Sequence, residues 1–85
     1  MFNFEFKRKA AREIEKLSPQ IRERILKKLQ FYSLQENPLT FAEKLKDQRF
    51  GEYRFRIGDY RILFDVKKNI LLILKVGHRK EIYKN

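Results

Sequence analysis

Three arginines stand close together in the stretch Glu52–Val66: Arg54, Arg56 and Arg61. A guanidinium stays charged at any working pH and offers a planar fork that holds a phosphate through paired hydrogen bonds. The surrounding residues alternate. Tyr53, Phe55 and Ile57 take one face and Arg54 and Arg56 the other; after Gly58-Asp59, Tyr60, Ile62, Phe64 and Val66 resume the apolar face, with Arg61 opposite. This is the pattern of a β-hairpin, and a two-residue Gly-Asp loop suits the primed turns that twisted strands prefer. Its register pairs Ile57 with Tyr60, Phe55 with Ile62 and Tyr53 with Phe64, and sets Arg56 directly across from Arg61. Like charges opposite one another destabilise a sheet. The cluster therefore calls for an anion.

The next turn, Lys67-Lys68-Asn69, leads to a third strand from Ile70 to Val76. A three-residue loop with Asn69 in the left-handed region pairs Val66 with Ile70, Phe64 with Leu72, Ile62 with Leu74 and Tyr60 with Val76. That register sets Lys75 beside Arg61 on the outer face, whereas a two-residue loop drives Lys75 into the core. It also leaves Leu63, Leu71 and Ile73 among the cations, an apolar patch ringed by charge of the kind that serves a ligand or partner. Gly77 permits a bend, and if alternation continues past it Arg79 and Tyr83 join the same face.

Several other chemistries find no support. Gly51, Gly58 and Gly77 are isolated and cradle no nucleotide, and no Ser-His-Asp arrangement is present. Glu52 and Asp65 face each other at the far end of the hairpin, where bridges to neighbouring cations are expected. With no cysteine and a single histidine, His78, there is no metal-ligand spacing and no metal or other cofactor is implied. His78 itself reads as a turn residue. What fits is cation-driven phosphate chemistry. In RNA the adjacent 2′-hydroxyl is the nucleophile, so the protein needs a proton acceptor, a proton donor and charge stabilisation. Tyr83 can accept the proton where arginines stabilise its phenolate. The spacing equally fits Arg54 and Arg56 as solvated strand arginines, and Tyr83 as an aromatic packing on the sheet.

The elements that must position these groups can be read in order. Phe2, Phe4 and Phe6 alternate as a short strand. Lys7 to Leu17 has helical spacing, with Ala10, Ile14 and Leu17 on one side. Ser18-Pro19 caps a second helix running to about Gln35 on Ile21, Ile25, Leu29 and Tyr32. Asn37-Pro38 ends it. Leu39 to Phe50 is an irregular connector in which Phe41 and Leu45 dip into the core while Lys44 and Lys46 stay wet. Counting reversals sets the first hairpin strand antiparallel to the N-terminal one. The fold class is α+β: an N-terminal strand, a two-helix hairpin, then an antiparallel three- to four-stranded sheet with both helices on one face. A single domain spans residues 1–85.

Twenty-one Lys and Arg against eleven Asp and Glu give 85 residues a formal charge of +10. Such a balance points to polyanions or acidic proteins as partners. No run is long enough to span a membrane, and the N-terminus lacks the apolar core of a signal peptide. With cysteine absent, a reducing cytoplasm is the expected location. Lys75, Arg22, Lys27, Lys28, Lys44 and Lys46 are the candidate contacts to RNA or another large polyanion.

Gly51–Val66, followed by Lys75-Val-Gly-His-Arg-Lys-Glu-Ile-Tyr83, resembles the RelE/ParE toxin superfamily, its RelE branch in particular, and the resemblance covers nearly the whole chain. It implies a type II toxin that enters the ribosomal A site and cleaves the mRNA there. It also implies a cytoplasmic protein held inactive in a hetero-oligomer with an acidic, RelB-like antitoxin. By resemblance, Arg54 and Arg56 match two basic residues of the second strand, where well-known members carry Lys. Arg61 matches the arginine that contacts the scissile phosphate, Arg79 a proton donor or charge stabiliser, and Tyr83 a general base. Arg is a poorer proton carrier than Lys, which shifts general-base work toward Tyr83. The rival reading is a ParE-like inhibitor of DNA gyrase without nuclease activity, a branch with no need of Arg61, Arg79 and Tyr83. A third is a decayed toxin retained as an antitoxin-binding module.

Overall fold

The computed structural model describes residues 1–84. Strand β1 (Asn3–Phe6) leads into helices α1 (Arg8–Glu15) and α2 (Pro19–Ser33), and strands β2 (Glu43–Lys44), β3 (Tyr53–Ile57), β4 (Tyr60–Lys67) and β5 (Ile70–His78) follow. The strands form one mixed sheet in the order β1-β5-β4-β3-β2. Only β1 and β5 pair in parallel; the other three pairings are antiparallel. The α+β class expected from the sequence holds, with five strands in place of three or four.

The extra strand has a consequence for direction. The connector contains β2, which pairs Glu43 with Arg54 and Lys44 with Tyr53. That additional reversal turns β3 parallel in direction to β1, against the expected antiparallel arrangement. Two residues are too few to display a two-residue period, so β2 left no pattern to read.

The helices are placed by local chemistry. Ser18 Oγ accepts from the Ile21 N–H at 3.4 Å and Pro19 takes the first helical position, as the sequence indicates. Arg22 Nη1 donates to the Glu15 carbonyl at 3.2 Å, satisfying the end of α1. β1 pairs with β5 only as far as Ile73. Beyond that point Glu13 of α1 accepts from the Val76 N–H at 2.9 Å and covers the edge. Ala10, Ile14, Ile25, Leu29 and Tyr32 bury the helical face against Phe55, Ile57, Ile62, Phe64, Leu71, Ile73 and Val76. A run of stacked rings crosses this core, Tyr32 to Phe55 at 4.4 Å and Phe55 to Phe64 at 4.3 Å between centroids. Phe41, expected inside, is instead 45% exposed. It lies on the 3-10 turn after α2 and caps the ring stack through Tyr32 at 5.1 Å.

The register of β3 and β4 is the one read from the sequence, Arg56 opposite Arg61 included. Gly58 supplies the positive φ, +60°, while Asp59 has none, the pattern of a type II′ turn. The β4–β5 connection differs from expectation. Its loop has two residues, Lys68-Asn69, with Lys67 paired to Ile70, and Lys68 rather than Asn69 takes the left-handed conformation at φ 56°. Lys75 nonetheless avoids the core. Phe64 pairs with Ile73 and Leu63 with Lys75, so Leu74 is an extra, bulged residue that resets the alternation. The two-residue loop itself sends Leu71 and Ile73 into the core, and Leu63 is fully buried as well. The expected apolar patch among the cations is therefore absent, and exposed apolar residues occur on the helical side instead, at Phe31, Leu34 and Phe41. Glu52 and Asp65 make no bridge to cations: Asp65 accepts from the Glu52 N–H at 2.9 Å, and Glu52 from the Val66 N–H at 2.8 Å.

Candidate functional site: an arginine row closed by the C-terminal turn

β5 ends at His78 because the chain turns there instead of continuing as a strand. The Arg79 N–H donates to the Asp59 carbonyl at 2.7 Å, and those of Glu81 and Ile82 to the His78 carbonyl at 2.8 and 2.9 Å. His78 accepts from the Lys80 N–H at 3.1 Å and sets its ring edge-on to Tyr60, a turn role as the sequence suggests. The turn folds the tail over the face opposite the helices. Ile82, 1% exposed, sits against Gly77, where a Cβ would come within 3.2 Å of Ile82 Cδ1. Tyr83 then meets Phe50 edge-on at 5.0 Å, and its hydroxyl accepts from Arg54 Nη1 at 2.6 Å. Leu63 lies between Arg54 and Lys75 in the register. Both of these hold the tail, Lys75 through the Lys84 carbonyl at 3.1 Å. The tail thus roofs Leu63, which explains its burial.

The arginines divide their work. Arg54 spans Glu43 with Nε and Nη2, at 3.2 and 3.4 Å from the two carboxylate oxygens. Arg56 Nε lies 3.8 Å from the same carboxylate. Hydrogen bonding from Arg54 is the main influence holding the Glu43 carboxyl below its ordinary value, and the charges of Arg54, Arg56 and Arg61 add to it. The Glu43 contact likewise leads in raising Arg54, with Tyr83 second. Arg61 turns away from Arg56: its Nη1 donates to the Gly58 and Tyr60 carbonyls, both at 3.0 Å. The like-charge pair is relieved by this divergence. Arg61 is 7% exposed, and burial first, then Arg56, Arg54 and Arg79, lower its pKa. Among the described residues no buried side-chain nitrogen or oxygen lacks a partner. Arg79 stands at the turn, its Nε 3.9 Å from Asp59.

Five expected residues, Arg54, Arg56, Arg61, Arg79 and Tyr83, thus meet on one face, with Lys75 holding the tail that carries Tyr83. Tyr83 and Arg79 mark opposite ends of the row. The other expected contacts lie elsewhere. Lys44 and Lys46 are exposed on and just beyond the edge strand β2. Arg22, Lys27 and Lys28 belong to the helical layer across the sheet: Arg22 caps α1, Lys27 pairs with Glu23 at 2.9 Å, and Lys28 Nζ lies 5.9 Å over the Phe31 ring. Two site residues escaped sequence reasoning. Glu43 sits in the unreadable strand β2, and Phe50 precedes Gly51 as a lone aromatic in an irregular turn. Only the pairing of β2 to β3 reveals the first, and only the fold of the tail the second.

A two-helix hairpin on one face of a mixed sheet, with an arginine row on the other, defines a small basic α+β protein. Its relatives give that class a family. Residues 4–83 match the model of the ParE toxin of type II toxin-antitoxin systems. Toxin RelG of Mycobacterium tuberculosis is 31% identical over 85 residues, covering 98% of this chain and 97% of that one. The toxin-antitoxin complex RelBE2 of the same organism superposes with a TM-score of 0.77 at 29% identity, over 92% of this chain and 98% of that one. The intact RelBE complex of Escherichia coli matches in fold, with a TM-score of 0.73 at 22% identity over 92% and 96%. The chain belongs to the RelE/ParE toxin family, as a type II toxin of the RelE-like branch.

Proposed function

We propose that this chain is a metal-independent, ribosome-dependent endoribonuclease that cleaves mRNA in the A site and so inhibits translation. The observation that carries the reading is the row itself: four arginines in succession, Arg61 nearly buried among them, with the Tyr83 hydroxyl 2.6 Å from the Arg54 guanidinium. Arg54 and Arg56 already close on a carboxylate, Glu43, and an RNA phosphate takes that seat with the same forks. Arg61, held in place by the Gly58 and Tyr60 carbonyls, contacts the scissile phosphate. Tyr83 takes the proton of the 2′-hydroxyl, and the 2′-oxygen attacks phosphorus. The bond from phosphorus to the 5′-oxygen breaks, Arg79 at the other end of the row stabilises the leaving oxygen, and a proton from solvent water completes its hydroxyl. The products are a 2′,3′-cyclic phosphate and a 5′-hydroxyl. Arg54 and Arg56 orient the RNA and bear the charge that builds on the phosphoryl oxygens.

The whole chain acts as one toxin domain in the cytoplasm, and Lys75 with Arg22, Lys27, Lys28, Lys44 and Lys46 contacts ribosomal or messenger RNA. A cognate acidic antitoxin holds it in a hetero-oligomer. The antitoxin complexes formed by the structural neighbours, together with the charge of +10, support that partner. Among the described residues no helix is long and apolar enough to cross a membrane. The match to a ParE model keeps gyrase inhibition as the rival reading. Purified protein added to a translation reaction and, separately, to a supercoiling assay distinguishes the two. A-site cleavage without supercoiling inhibition is the expected result; the reverse would overturn the proposal.

A further inference from the structure

Beside the arginine row lies a cleft of about 460 Å³ lined by Lys9, Arg49, Phe50, Lys75 and Tyr83. Its size falls within the roughly 300–1,000 Å³ of small-molecule sites. Lys9 comes from α1, Lys75 from β5, and Arg49 and Phe50 from the turn before β3, so the cleft forms only in the folded chain. Tyr83 is shared, with Arg54 bonded to its hydroxyl and the cleft against its side. Among the described residues no acidic side chain lines the cleft. Arg49 is tied to Asp47 at 2.7 Å and lies 5.9 Å over the Phe50 ring, so it acts mainly as a flat wall. Phe50 and Tyr83 meet at an interplanar angle of 74°. Phe50 is half-buried and Tyr83 is 37% exposed, and partly exposed rings among cations suit a nucleobase with its phosphate.

We infer that this cleft is a nucleotide subsite, taking the base of the nucleotide 5′ to the scissile phosphate. The assignment of side rests on the proposed reaction. Tyr83 receives the proton of the 2′-hydroxyl, and the ribose carrying that hydroxyl belongs to the 5′ nucleotide. Its base therefore enters the space adjoining Tyr83, while Lys9 and Lys75 neutralise the phosphate next upstream. Phe50 is then a determinant of how tightly that nucleotide is held.

The test is direct binding, independent of cleavage: NMR titration of the full chain with an RNA trinucleotide carrying 2′-deoxyribose at the cleavage position. The Phe50 ring signals shift, and Phe50→Leu weakens binding about tenfold, within the range for loss of one aromatic–base stack. Phe50→Tyr, which keeps a ring, retains affinity and serves should the leucine variant fail to fold. A trinucleotide abasic at the 5′ position binds wild type and Phe50→Leu equally. Unshifted Phe50 signals, or undiminished affinity in Phe50→Leu, would overturn the subsite. So would Phe50 signals that respond to a polyglutamate peptide and not to the RNA, which would mark a protein-docking surface. Binding here without ribosomal cleavage would sink the nuclease reading and with it the 5′ assignment, leaving a nucleotide site; cleavage with Phe50 unperturbed would overturn the subsite and leave the nuclease reading standing.

Discussion

The Tyr83 hydroxyl accepts a hydrogen bond from Arg54 Nη1 at 2.6 Å, across 29 positions of sequence. The same guanidinium holds Glu43 through Nε and Nη2. One side chain thus joins the edge strand, the hairpin and the C-terminal turn into a single site. Arg54 can do this because a guanidinium has donors on three nitrogens in one plane; a lysine cannot reproduce that fork.

The tail reaches Arg54 because Gly77 lets Ile82 close against the sheet. A valine at Gly77 would place its side chain where Ile82 Cδ1 now lies. Gly77→Val is expected to displace Tyr83, leaving the secondary structure unchanged by circular dichroism while A-site cleavage falls about 100-fold, the scale of a 1 Å misplacement. Undiminished cleavage in a folded Gly77→Val protein would show that the tail does not position the site.

Glu43 gives the site a pH signature. Its folded-state carboxyl lies below the ordinary value of 4.5, so the stabilisation it brings is present above that value and is lost as pH falls through the lower folded one. The Glu43 side chain is 46% exposed, which keeps the pair's worth under about 1 kcal/mol. Glu43→Gln is expected to leave urea unfolding at pH 7 nearly unchanged and to flatten its dependence on pH below about 4.5. A variant with the full wild-type slope in acid would break the assignment.

How much was legible beforehand follows from the reach of each signal. The β3–β4 hairpin is a local object: alternation and a two-residue turn fix its register, and Arg56 opposite Arg61 came with it. Ser18-Pro19 and the stripe Ile25, Leu29, Tyr32 are equally local. The β4–β5 register failed because strict alternation has no place for a bulge, and Leu74 is one. Leu71 and Ile73 face the core because the loop has two residues, and the bulge then returns Lys75 to the outer face. Residues 79–84 could not be followed because they leave the period at Gly77, and the short strand at Glu43 has no period at all. The positions of Arg54, Arg56 and Arg61 were open to reading; the partners that organise them, Glu43 and Phe50, depend on pairings made far along the chain.

Lys68 is the one residue other than glycine with a positive φ among the described residues, at 56°. An L side chain in that region costs about 1–2 kcal/mol. Glycine removes most of that cost and gives some back through unfolded-chain entropy. Lys68→Gly is expected to stabilise the fold by about 0.5–1 kcal/mol, a rise in Tm of roughly 2–8 °C for a domain of this size, by calorimetry. Asn69→Gly, lacking that strain, should give no such rise. Equal gains at the two positions would contradict the turn assignment.

The central claim is that Arg61 and Tyr83 act together on a phosphate. Primer extension on mRNA translated in the presence of purified protein tests it most directly, with circular dichroism confirming that each variant is folded. Wild type is expected to produce A-site cleavage, Tyr83→Phe to lower it by about 10²–10⁴-fold, and the Arg61→Ala, Tyr83→Phe double variant to abolish it. A-site cleavage by the folded double variant at the wild-type rate would contradict the account.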